Sequence, residues 1–328
     1  MANPAGNAGF SLDDIQLTAG SILEAHPDTI VAWRLLREVL HRPSDDQDVV
    51  RVKTALETNR WMRQLEQAQL PDGSWGRFHS QDTKQKTAFR TTEEAIDRAI
   101  ALGADPREGV LLRVHQYILE VLRGAARITD RDEKSEAWPL GIRFILAGRL
   151  AQLDPANPAL IQAWAYLVEV AKQAFQSGQY RLEDEVAAYQ HLSGIRWPRG
   201  FLSSQHVMWI LSSHELPGSL GQDLLRWIWH KPEGMGYLGA PLANFQPRQV
   251  GYWLRSMSIL SRFAAWKEIS QDALNQLWAQ RDEHGLWDFG SRIARSGDFP
   301  LSESWRYSSQ RKQDYSTCIL VLLRKTFD

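Results

Sequence analysis

The residues best suited to chemistry gather beside glycine-aromatic turns. The stretch "QLPDGSWGRFHSQDTK" at 69–84 places His79, Asp82 and Lys84 just past one such turn, and the next helical run adds Glu93. An imidazole titrates near neutrality, so His79 reads either as a general acid or base or as a loop residue bonded to backbone. Toward the C-terminal end, "DFGSR", "LSESWR" and "KQDYST" contribute Asp288, Glu303, Arg306 and Asp314. His79, Asp82, Glu93, Glu303 and Asp314 are the candidate acids and bases, while Lys84, Asp288 and Arg306 are candidate polar contacts to a substrate. Trp75, Phe78, Tyr237, Trp253 and Trp305 are the candidate apolar lining, because aromatic faces steady a cation through their negative quadrupole. These groups converge only if the chain closes around a hollow.

Helices must do the positioning. "SLDDIQLTAGSILEAH" opens with a Ser cap, "DTIVAWRLLREVLH" follows a Pro, and "TTEEAIDRAIALG" has Thr91 or Thr92 as cap and Gly103 as stop. Apolar residues recur at three- and four-residue steps again near 107–123, 138–152, 158–176, 203–214, 218–229, 249–266, 270–280 and 313–326, which predicts an all-α protein of about twelve helices. Strand-like alternation does not recur.

The breaks between helices share a form. Gln69 precedes Gly73, Ser74 and Trp75; Gln173 precedes Gly178, Gln179 and Tyr180; Gln280 precedes Gly285, Leu286 and Trp287; "EGMGYLG" sets Tyr237 in the same role without a glutamine. Glycine allows a sharp exit, the Gln amide can bond unpaired backbone groups, and the ring can cover the turn. The step of roughly 50 to 57 residues accommodates two helices per unit, so six units fill the chain and stack into a solenoid or a ring. These stretches resemble the QW repeat of the terpenoid cyclases and protein prenyltransferases, most clearly at "QLPDGSWG" and "QRDEHGLW". The resemblance covers residues 60–328 and implies an (α/α)6-type toroid of inner and outer helices over a single domain of 1–328, with 1–10 a flexible N-terminus. It also implies an isoprenoid, cyclised or isomerised by acid catalysis, with Asp82, Glu93 or Asp314 as proton source.

The motifs that would carry such chemistry depart from the family pattern. "DRDE" at 130–133 is nearest to Asp-x-Asp-Asp, but Arg131 and Lys134 favour ionised carboxylates, so a solvated loop is the simpler reading. "SDDQD" at 44–48 is one residue short of a magnesium motif and suits a helix cap. Asp314 and Cys318 share a helix face, yet no histidine follows residue 284 to complete a zinc set. No metal and no cofactor are expected.

Composition bounds the rest. With 43% hydrophobic and 23% charged residues the chain can build a large core, and 38 basic against 39 acidic residues leave no footprint for nucleic acid; the basic Arg306, Arg311 and Lys312 read as a solvated face. One cysteine, no secretory signal and no apolar run of membrane-spanning length fit a cytoplasmic protein. The Trp-rich "LLRWIW" at 224–229 leaves peripheral membrane contact open, although a core-facing helix is the simpler reading. Of fourteen tryptophans, helical ones such as Trp33, Trp164 and Trp209 read as core. Two further functions stand beside the isoprenoid reading: a carbohydrate-active helical barrel with Asp82 and Glu303 flanking a sugar bond, and a non-catalytic toroid holding a lipid or peptide.

Overall fold

The computed structural model describes residues 9–80, 88–195, 200–293 and 298–328. Among these residues there are fourteen α-helices and no strand. The first is α1 (Leu12–Glu24), closed by a reciprocal box in which the Ser11 hydroxyl accepts from the Asp14 backbone and Asp14 accepts from the Ser11 backbone. Next come α2 (Thr29–Arg34), which runs into a π-helical turn at Leu35–Val39, α3 (Gln47–Leu56), α4 (Arg60–Ala68), α5 (Thr92–Ala101) and α6 (Gly109–Leu122). Then follow α7 (Trp138–Leu153), α8 (Ile161–Ala174), α9 (Leu182–Ser193), α10 (Gln205–Leu211) and α11 (Leu220–His230). The chain ends with α12 (Val250–Leu260), α13 (Trp266–Trp278) and α14 (Ser308–Arg324).

Three helices go beyond the periodic spans. α3 buries only Val49 and Val52, α4 only Leu65, and α9 Glu185, Ala188 and Tyr189, so none carries a long buried apolar stripe. Asp46 from "SDDQD" caps α3 by accepting from the Asp48 and Val49 backbones, which settles that stretch as a helix start. α10 is the opposite case, with all seven residues buried. α11 turns Leu224, Leu225, Ile228 and Trp229 inward, so its apolar stripe is a core face. No helix of the described residues is long and apolar enough to cross a membrane. At the N-terminal end, Phe10, expected within a flexible segment over 1–10, is buried against Trp278 with ring centroids 5.3 Å apart.

The helix neighbours run in sequence. α2 packs on α14, α14 on α12, α12 on α10, and α10 on α7, with α6 against α7 and α8 against α10. α1 also packs on α14, joining the two ends of the chain. From α2 the Trp33 indole N–H donates to the Gly103 carbonyl, 2.8 Å away, at the end of α5.

Two of the glycine-aromatic corners share one construction. The indoles of Trp75 and Trp287 donate to carbonyls ten residues back, Leu65 at 2.9 Å and Leu277 at 2.7 Å. Their backbone N–H groups donate to hydroxyls on the following helix, Thr92 at 2.9 Å and Ser316 at 3.2 Å. The glutamine rule does not carry through. Gln69 donates to the carbonyls of Gly73 and Val110 and accepts from Arg113, whereas the residue that matches it before Trp287 is Arg281, and Gln280 is exposed. Tyr180 has no indole N–H; it stacks on Trp227 at 3.8 Å and donates to Glu185. Tyr237 is 54% exposed and makes no such corner.

Gly73 has φ +90, and a Cβ there would lie 2.5 Å from the Arg113 carbonyl oxygen; Gly285 has φ +76 with nothing within 4 Å. Left-handed backbone alone costs an alanine about 1 kcal/mol, and the clash adds to it. Urea denaturation should therefore show Gly285→Ala losing about 1 kcal/mol and Gly73→Ala losing roughly 3 kcal/mol. Equal losses would mean the Gly73 turn is not wedged against α6.

Candidate functional site

The first turn of α5 is stitched to the loop before it. Thr91 caps the helix by accepting from the Glu94 backbone at 3.1 Å, and the Thr92 and Glu93 N–H groups donate to the carbonyls of Arg77 at 2.7 Å and Phe78 at 3.2 Å. From the far side, the Asp130 carboxylate accepts the backbone N–H groups of Phe78 at 2.5 Å, His79 at 2.8 Å and Ser80 at 2.6 Å. Asp130 of "DRDE" is thus neither an acid site nor a solvated loop residue; it fixes the loop that carries His79. Held this way, the His79 Nδ1–H donates to Glu93 Oε2.

Glu93 Oε1 takes two more donors, His206 Nε2–H at 2.7 Å and Arg149 Nε–H at 2.7 Å. One turn along α5, Asp97 accepts from the other arm of Arg149 at 2.5 Å and from Arg255 at 2.7 Å, and Arg255 reaches on to Asp298 at 3.0 Å. Glu93, Asp97, Arg149 and His206 are all buried. Burial pushes the Glu93 carboxyl up, but Arg149 and His206 outweigh it and hold the group well below the ordinary carboxylate range. Asp97 is likewise lowered, burial being overcome by Arg149 and Arg255. Burial lowers His206, leaving a neutral ring that gives its Nε2–H to Glu93 and keeps a buried Nδ1 with no partner. His79 goes the other way: burial opposes its charge, but the Glu93 contact raises its pKa.

Glu93, expected as a proton source, is thus held toward its ionised form, while its contact favours the protonated form of His79. Asp314 is also committed. It is fully buried and accepts from the Leu301 backbone at 2.7 Å, the Ser302 backbone at 3.1 Å, the Ser302 hydroxyl and the Trp305 indole at 2.6 Å. Burial raises its pKa while those donors pull it back. The indole N–H of Trp305, expected to line a substrate, is thus given to Asp314. Glu303 is exposed, with its N–H on Asp28 and its carboxylate 3.6 Å from Arg60, and Arg306 is exposed beside it. Asp288 is paired with Arg311 at 2.7 and 2.6 Å, and Lys312 with Asp282, so two cations of that basic stretch are in ion pairs.

The aromatic candidates divide in the same way. Trp75, Phe78 and Trp253 are core: Phe78 stacks on Tyr117, and the Trp253 indole donates to the Leu242 carbonyl at 3.0 Å. Tyr237 stays near the cluster, its ring 6.1 Å from that of His206. Asp82 and Lys84 lie outside the described residues.

A hollow lies elsewhere. A cavity of about 590 Å³ lies among the C-terminal halves of α2, α5, α7, α10, α12 and α14, walled by Trp33, Trp209, Leu153 and Leu254 and edged by Arg34, Arg37, Asp97, Arg255, Arg262, Asp298 and Lys325. None of the described site residues expected from sequence lines it, and Trp33 and Trp209, read as core, do. Cys318 is there too, its thiol pushed up to about 12 by burial and in contact with Arg34 at 3.4 Å. No group of three or more His, Cys, Asp or Glu among the described residues could hold a metal ion.

Sequence reading missed His206, Asp97, Arg149 and Arg255. A signal existed for two of them. Glu93 and Asp97 stand four apart on the face of α5 that also carries Ile96, and Arg149 interrupts the apolar run "FILAGRLAQL".

The two histidines set a pH profile of stability. Raised His79 contributes stability that is complete below its ordinary pKa of about 6.5 and lost as pH climbs through its raised value. Lowered His206 works oppositely, because below about 6.5 the unfolded chain takes a proton that the folded chain refuses. Urea midpoints should peak near pH 6.5, and His79→Gln should remove the alkaline decline while keeping the acid one. A profile unchanged by that substitution would break the assignment. Arg149→Gln, which leaves buried carboxylates without their cation, should cost about 3 to 5 kcal/mol by the same measurement. Comparison of the chain with family models, with curated proteins and with solved structures gave no match, so its function is to be argued from this geometry.

Proposed function

We propose that the chain is an α/α toroid that holds a small amphiphilic molecule between the C-terminal halves of its inner helices, as a binding protein and not as an acid catalyst. The observation that carries the reading is the 590 Å³ hollow with tryptophan walls and a charged edge. Its size suits a small organic ligand, and apolar walls with a few convergent polar groups are the usual form of such sites. The toroid is supported by the run of neighbours from α2 through α14, α12, α10 and α7, by the bonds from α7 to α5, and by the Trp33 contact from α2 back to α5. The paired corners at Trp75 and Trp287 support it as well, and they make a linear isoprenoid the first ligand class to offer.

Binding is favoured over acid catalysis because the two described carboxyls nominated as proton sources are engaged. Glu93 is ionised between Arg149, His206 and His79, and Asp314 is surrounded by donors. An alkene-protonating acid must be neutral and face its substrate.

Native mass spectrometry of the purified chain, followed by incubation with farnesol, tests the reading. The expected result is ligand recovered with unchanged connectivity and an affinity about tenfold weaker in Trp209→Ala, equivalent to about 1.4 kcal/mol. Farnesol returned with altered connectivity would establish catalysis instead. No retained ligand and no farnesol binding would remove the hollow as a binding site.

A further inference from the structure

The charges around the hollow are unequally matched. Six cations line it, Arg34, Arg37, Arg107, Arg255, Arg262 and Lys325, against four carboxylates, Glu38, Asp97, Asp105 and Asp298, a surplus of two. The carboxylates have cation partners: Glu38 with Arg34, Asp105 with Arg107, Asp97 with Arg149 and Arg255, and Asp298 with Arg255, although one Asp298 oxygen is buried without a hydrogen bond. Among the described residues that leaves Arg37, Arg262 and Lys325 without a carboxylate. Arg37 donates to the Arg42 carbonyl. Arg262 lies over the Trp209 ring at 4.2 Å and donates to the carbonyls of Ala151 at 2.9 Å and Gln152 at 3.3 Å. Lys325, partly buried just past α14, has the Ser258 hydroxyl at 2.9 Å.

We propose that Lys325 and Arg262, with Arg37 beside them, form an oxyanion site at the rim of the hollow that takes the phosphate head of an amphiphilic ligand whose apolar part lies against Trp209 and Leu254. The inference rests on the binding reading above and adds the class of head group. A surplus of two positive charges matches a dianionic phosphate better than a monoanionic carboxylate, and a guanidinium beside an ammonium gives a fork of donors next to a point charge. Two cations brought together in partly desolvated surroundings repel each other, and an anion between them removes that cost. The repulsion shows at Lys325, where burial first and Arg262 second lower the ammonium to about 8; Arg34 adds to the lowering, while Glu38 and Asp328 oppose it.

Calorimetric titration of the full chain with decyl phosphate, decanoate, decanol and inorganic phosphate separates the possibilities. Decyl phosphate should bind at least tenfold more tightly than decanoate or decanol, and its affinity should fall as pH rises through about 8. Lys325→Met and Arg262→Gln should each weaken decyl phosphate about tenfold while leaving decanol unchanged, with Lys325→Arg restoring affinity and removing the fall near pH 8. Circular dichroism checks that each variant is folded. Decanol binding as tightly as decyl phosphate would overturn the oxyanion site and leave the hollow as a binding site. No binding by any of the four would overturn both. Inorganic phosphate binding as tightly as decyl phosphate would overturn the amphiphile in favour of a free anion.

Discussion

The Arg149 guanidinium, buried between two carboxylates of α5, is the interaction on which the centre of the molecule depends. Glu93 and Asp97 are one helical turn apart, so a planar fork from α7 reaches both at once, at 2.7 and 2.5 Å. Removing three charged groups from water is costly, and the cost is offset only where geometry and hydrogen bonds are nearly complete. That condition fixes the height and rotation of α5 against α7. It extends to α10 through Gly148, where a Cβ would lie 2.7 Å from the His206 carbonyl oxygen. Only a glycine lets the two helices approach so closely, and the approach delivers His206 Nε2 to Glu93 Oε1.

The same economy of carboxylates governs the loops. Asp130 gathers the N–H groups of Phe78, His79 and Ser80; Glu185 gathers those of Phe201 and Leu202; Asp314 gathers those of Leu301 and Ser302. Each loop precedes a helix, α5, α10 or α14, and its backbone donors have no ladder or helix to join. An ionised carboxylate accepts only, with room for several donors, so one acid side chain can pin two or three consecutive peptides. An acid on a polar loop beside a glycine-aromatic turn is therefore ambiguous from sequence. Asp314 has the position of a catalytic acid and the bonding of a structural one.

What the sequence made legible was local. Ser11, Asp46 and Thr91 announce helix starts because a capping side chain acts within three residues of itself, and Trp75 and Trp287 announce corners because each indole bonds a carbonyl ten residues away. The all-helical class followed from periodicity for the same reason. The site was not legible, since Glu93 meets His206 across 113 residues and Arg149 across 56, and nothing in the local pattern of either partner names the other. The corner rule failed for a geometric reason. Counting back from the indole to its acceptor carbonyl places Arg281 where Gln69 stands, so the glutamine at 280 belongs to the neighbouring register and bridges nothing.

The charges at the start of α5 and just past the end of α14 differ in sign for a reason that precedes any ligand. Helix N-termini favour anions and C-termini favour cations, so Glu93 at the second position of α5 and Lys325 just beyond α14 each sit where the backbone dipole stabilises them. Part of the positive charge around the hollow is accounted for in this way, since Arg262 binds the last carbonyls of α7; Arg37 instead binds the loop carbonyl of Arg42. The partial charge at a helix end is only about half an elementary charge, too little to balance a full ammonium drawn partly out of water next to a guanidinium. Lys325, with a serine hydroxyl as its hydrogen-bond acceptor, is the point at which helix capping stops explaining the lining and recognition of an anion begins to.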